Sequence, residues 1–93
     1  MTKDKILNAA YAMAVREGFE SLTRDAVAAE AYVSKGAINH HFHTIEAVRN
    51  DVMEMALTNR DLKLIAQGIA ARNGVALTAP KELQLEALTS LAQ

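Results

Sequence analysis

No cysteine occurs in the 93 residues, which excludes disulfides and thiolate metal sites and fits a reducing compartment. One proline and four glycines leave few helix breakers. A 51% hydrophobic composition, rich in Ala and Leu, describes one globular, helix-rich domain and not a disordered chain. No run approaches the roughly 18 apolar residues that span a bilayer, so no membrane partner is expected. The opening MTKDKILNAAYAMAVREG carries charges in its first turn and no long apolar core, so no secretory signal is expected and the location should be cytoplasmic. Positive charge is also not in excess: ten Lys and Arg stand against eleven Asp and Glu, a net charge of −1. The two halves are alike, with six basic and six acidic residues over 1–49 and four and five over 50–93. A domain that held nucleic acid by charge alone would be basic. Any such binding must rest on a few placed contacts, doubled by pairing.

Chemistry is thin. No nucleophile sits beside a base at a recognisable spacing, and there is no Gly-rich phosphate loop or pair of carboxylates on one helix face. The chain is expected not to be an enzyme and to need no cofactor. His40, His41 and His43 form a cluster, but only positions 40 and 43 share a helical face, and no Cys or nearby carboxylate completes a tetrahedron; no metal is expected.

Helix patterns fill the sequence. Thr2 is a plausible cap for a first helix over about 3–17, with Asp4 in its first turn and Ile6, Leu7, Ala10, Met13 and Ala14 on one face. Gly18 stands where a left-handed residue would end it, with Phe19 folding back. Thr23 caps a short helix over about 24–31 whose buried side is Val27, Ala28 and Ala31. Tyr32 and Val33 make a break, and Ser34 caps a third helix, Lys35 to His41. Gly36 costs that helix about 1 kcal/mol relative to Ala, less near its start, and permits close approach of a phosphate. Thr44 caps the next pattern. Its seam is Ile45, Val48, Val52, Met55, Leu62, Ala66 and Ile69, with Asn59 the polar member, forming one long helix or two joined near Thr58. Gly74 is the expected stop, Val75 to Ala79 a linker, and Pro80 the first position of a last helix through about Ala92. Met13, Met53 and Met55 are expected as core filler.

Two short helices joined by a sharp turn, with Val27, Ala28, Ala31, Val33 and Ile38 small or apolar where they meet, form a helix-turn-helix pattern. The stretch ILNAAYAMAVREGFESLTRDAVAAEAYVSKGAINHHFHTIEAV resembles the N-terminal DNA-binding domain of TetR/AcrR-type transcriptional regulators. The likeness covers roughly residues 5–55. It rests on Ala10, Gly18, Phe19, Thr23, Ala28, Ala31, Val33, Ser34, Lys35, Gly36, Ile38, His41 and Phe42, at the family's spacing and without a gap. It implies an all-α fold with Thr23, Ser34 and Lys35 at phosphates, Gly36 permitting approach, Ala37, Asn39 and His40 near base edges, and His41 or His43 at the backbone. Asn39 has the geometry to pair bidentately with adenine. The chain departs from the family in four places. Tyr32 replaces the turn glycine, Asn39 the recognition-helix tyrosine, Ile45 a lysine, and His43 another residue that is often lysine. It also has about half the usual length, so no ligand domain and no small-molecule inducer are expected, and the capped final helix argues that the ending is genuine.

The organisation expected is a helix-turn-helix unit over 1–57 and a helical extension over 58–93 that pairs two copies through Leu62, Ile65, Ile69, Leu83, Leu88 and Leu91. Asn59 would either help fix the register of that pairing or stand as an ordinary exposed residue. A seam of this kind is more often simple intramolecular core. The function expected is a dimeric, sequence-specific repressor on double-stranded DNA, governed by its own concentration or by a regulatory protein partner. A different class also fits, a helix-turn-helix-derived module that binds another regulator and has lost DNA, and a third possibility is a piece of a longer regulator.

Overall fold

The computed structural model describes residues 2–91, and within them every regular element is helical. Helix α1 spans Thr2–Glu17 and buries Ile6, Ala10, Met13 and Ala14, the face expected from their spacing. It ends at Gly18. The conformation there is not the left-handed one expected: φ is 103° but ψ is 154°, a region essentially confined to glycine. The Gly18 N–H still closes the helix on the Ala14 carbonyl at 2.8 Å. A short 3-10 turn, Phe19–Ser21, then carries Phe19 back into the core.

Helices α2 (Arg24–Ala31) and α3 (Lys35–His41) follow, and α4 spans Ile45–Asn59. The apolar seam after Thr44 is two helices, not one. Thr58 lies inside α4, and the break comes at Arg60, in left-handed conformation with φ 51°. Asp61, not Thr58, starts α5 (Leu62–Ala70), accepting from Leu64 N–H at 3.1 Å. The elbow is tied to α1. The Tyr11 hydroxyl donates to Asp61 Oδ2 at 3.0 Å, and Asn59 Nδ2 donates to the Tyr11 oxygen at 3.3 Å. Asn59 is thus exposed and hydrogen-bonded within its own chain.

Helix α5 contacts α4 and the 3-10 turn, and buries Leu64, Ile65, Ala66 and Gly68. Gly68 lies mid-helix because a Cβ there would stand 2.9 Å from Ala76 Cβ and also meet Met53. The expectation at Gly74 fails. Helix α5 closes at Arg72, left-handed with φ 59°, and Asn73 N–H returns to the Gly68 carbonyl at 2.8 Å. Gly74 instead begins a one-turn helix, α6 (Gly74–Leu77), within the expected linker. Asn73, a buried polar side chain, caps it at Ala76 N–H at 3.0 Å and reaches Asn50 of α4 at 3.0 Å.

Helix α7 spans Lys81–Leu91, and Pro80 stands just before it, its carbonyl accepting from Gln84 N–H at 3.0 Å. Its expected extension to Ala92 lies outside the described residues. Helix α7 packs on α5 through buried Ala87 and half-buried Leu83. The wide apolar face divides: Leu85, Leu88 and Leu91 remain 65%, 43% and 55% exposed. Ile65, expected in a pairing surface, is fully buried within its own chain and leaves that surface. Leu62 and Ile69 are also packed against the internal core, so most of the seam is intramolecular.

Candidate nucleic-acid interface

Three side-chain caps fix where the helices of the reading unit begin. Thr23 accepts from Ala26 N–H at 3.2 Å, Ser34 from Ala37 N–H at 3.0 Å, and Thr44 from Ala47 N–H at 3.2 Å. Capping uses an acceptor lone pair of each hydroxyl, so its own proton remains available to a phosphate oxygen. Between α2 and α3 the chain turns at Tyr32, left-handed with φ 57° and ψ 44°, although it carries a side chain. The Tyr32 ring stays 90% exposed. The turn closes backbone to backbone: Val33 N–H donates to the Ala28 carbonyl at 3.0 Å.

The orientation of α3 follows from Ile38 and Phe42. Four residues apart, they lie on one face and are buried to 0% and 3% exposure. Lys35, Gly36, Asn39 and His40 are consequently exposed, and His43, Thr23 and Ser34 are exposed nearby in the sequence. Ala37 and His41 are half-buried, and the His40 and His41 rings meet edge to face at 5.0 Å. A Cβ on Gly36 would meet nothing closer than Ser34 Oγ at 3.6 Å, an ordinary contact, so packing within the chain does not require glycine there. Among the described residues no group of His, Cys, Asp and Glu side chains is arranged to hold a metal.

Charge on this surface is sparse and partly cancelled. Lys35 Nζ lies 3.5 Å from Asp25 Oδ1 in the first turn of α2, both groups largely exposed. A second cation arrives from outside the helix-turn-helix. Lys3, at the start of α1, stands with Nζ 5.4 Å from the centroid of the Phe42 ring, at the end of α3. Nothing in the local sequence around Lys3 marks it for this place. Arg49 was also unmarked, although its spacing from Glu46 could have shown an ion pair. It pairs with Glu46 and donates from Nε and Nη2 to the Leu22 carbonyl. Gln67 Oε1 of α5 accepts from Phe19 N–H at 2.8 Å. At the far end of α2, Arg16 bonds Glu30 at 2.9 and 3.2 Å. That bond holds the Glu30 carboxyl below its ordinary pKa range and raises that of the guanidinium.

Residues 6–52, just over half of the chain, match the family model described as bacterial regulatory proteins, tetR family. No curated protein and no solved structure matches the chain.

Proposed function

The chain belongs to the tetR family of bacterial regulatory proteins, a family of helix-turn-helix DNA-binding transcriptional regulators, and we propose that it works as a dimeric repressor that occupies a specific operator. The observation that carries this reading is the exposed face of α3. Lys35, Gly36, Asn39 and His40 share it, held outward by the buried anchors Ile38 and Phe42. A helix presented this way enters a major groove with its side chains at base edges, while end groups meet phosphates. Asn39 is the residue suited to read adenine. Thr23, Ser34, Lys35 and Lys3 serve the backbone, with His41 and His43 beside them. Gly36 supports the reading, because no internal contact explains the missing side chain.

One chain presents one such helix, and its charge is −1, so grip requires a second copy. The pairing surface is the outer face of α7, Leu85, Leu88 and Leu91, with half-buried Leu62 beside Leu85. A two-fold pair would read half-sites about 34 Å apart, one DNA turn.

The test is selection of a preferred sequence from random duplex, followed by gel shifts at several salt concentrations. Asn39→Ala should lose discrimination at one base pair, about 1–3 kcal/mol. Lys35→Ala should weaken every sequence alike. Failure to prefer any sequence over random duplex at low salt would overturn the proposal.

A further inference from the structure

Asp25 serves the fold only as a carboxylate in the first turn of α2, near the positive end of the helix. Thr23 already caps α2, no backbone N–H is bonded by the Asp25 carboxylate among the described residues, and its side chain is 80% exposed. What it touches is Lys35, the only Lys or Arg on α3.

We infer that Asp25 limits the affinity of this surface for DNA by holding a negative charge against Lys35, the recognition helix's own cation. The inference rests on α3 being the groove-binding helix. Asp25 Oδ1 is 3.5 Å from Lys35 Nζ, so in this arrangement a phosphate that pairs with Lys35 stands within about twice that distance of a carboxylate. Two like charges at about 6–7 Å in water repel by an amount worth about threefold in affinity. The carboxylate also offsets part of the positive charge that Lys35 offers a duplex, so fewer counterions are released on binding than a lone lysine would release. The effect falls on phosphates, so it weakens every sequence. Only a site that adds base contacts and engages both copies overcomes it. Asp25 thus works against idle binding to random DNA.

The experiment measures binding of the full chain to a labelled random-sequence duplex over a several-fold range of salt, for wild type, Asp25→Asn, Asp25→Ser and Asp25→Asn/Lys35→Ala. At the lowest salt both single variants should bind about threefold more tightly per copy, a gain that shrinks as salt rises, so that the slope of log K against log salt steepens by up to about 0.9 per copy. The extra slope should vanish in the double variant. Agreement of the Asn and Ser variants, each with unchanged helical circular dichroism, attributes the gain to lost charge. Wild type that binds while the single variants bind equally or more weakly overturns the inference and leaves the DNA reading standing. If neither wild type nor variants retain the random duplex or any sequence selected from it at low salt, the DNA reading fails and the inference with it.

Discussion

Arg49 of α4 donates from Nε and Nη2 to the backbone carbonyl oxygen of Leu22, at 3.1 and 2.9 Å. Leu22 immediately precedes the cap of α2, so a guanidinium 27 residues away fixes where the reading unit begins. Gln67 does the same one turn earlier, accepting from Phe19 N–H across 48 residues. The helix-turn-helix is thus positioned by α4 and α5 as well as by its own core.

Replacing Arg49 tests that clamp. Arg49→Met keeps the aliphatic stem but leaves the part-buried Leu22 carbonyl without its donors. A hydrogen bond to a charged group contributes about 1.5–3 kcal/mol, and water will replace part of it. The urea midpoint should fall by the equivalent of about 1.5 kcal/mol. An unchanged midpoint would show that the clamp is idle.

Gly68 should not tolerate a methyl group. Ala at this mid-helix position gains about 1 kcal/mol in helix propensity, yet its Cβ would stand 2.9 Å from Ala76 Cβ. Met53 is flexible and can move, whereas the Ala76 methyl shifts only with α6. Overpacking of this kind costs about 1–3 kcal/mol, so Gly68→Ala should be net destabilised by about 1 kcal/mol in chemical denaturation. A more stable variant would mean that α6 is free to shift.

Tyr32 gives the opposite sign. Its left-handed backbone is strained by about 1 kcal/mol for a residue with a Cβ, and its ring, 90% exposed, buries almost nothing. Tyr32→Gly should raise stability by about 0.5–1 kcal/mol, the gain being reduced by the greater freedom of glycine in the unfolded chain. Thermal denaturation decides: a lower melting temperature would show that the ring contributes to the fold.

Stability at alkaline pH depends on Tyr11. Burial foremost, then the neighbouring Asp61 carboxylate, push its phenol above the ordinary tyrosine range, while the Asn59 hydrogen bond acts in the other direction. A raised pKa means that the unfolded chain releases this proton first. The contribution is complete below the ordinary value of about 10 and is lost as pH rises through the folded one. Tyr11→Phe, weaker at neutral pH by about 1 kcal/mol for the lost hydrogen bond, should show a shallower alkaline decline. Parallel declines in the two proteins would refute the assignment.

Leu88→Glu separates pairing from folding. Leu88 is 43% exposed on the outer face of α7, whereas Ala87 beside it is fully buried. The Glu variant should keep its helical content, sediment as a monomer and lose operator binding. Ala87→Glu should unfold, since it buries a carboxylate without a partner. A Leu88→Glu protein that still sediments as a pair would move the interface elsewhere.

The local features of the site were visible residue by residue. Thr23, Ser34 and Thr44 cap helices at the places their side chains predicted, because a cap is formed within three residues. Ile38 stood out as apolar where the two helices meet, whereas Phe42 and the exposed face came from the family resemblance. Gly74 misled because the stop it marked was made two residues earlier, by Arg72 in a conformation usually left to glycine. Asn73 then used its side chain to start a helix where a linker was expected. The apolar seam gave no sign of whether its partner lay within the chain or outside it, since both burials need the same spacing.

The sequence by itself determined the helices of the reading unit and the caps at Thr23, Ser34 and Thr44, because each depends on contacts within a turn or two, although Thr2, expected as a cap, lies inside α1. Tertiary structure alone decided the rest. It folded the seam back at Arg60 and Asp61, buried Ile65 and left Leu85, Leu88 and Leu91 bare. It also brought Lys3 to Phe42, Arg49 to Leu22 and Asp25 to Lys35. The physical reason is separation along the chain: a side chain's distant partner is set by how the helices pack, and no local pattern of residues encodes that.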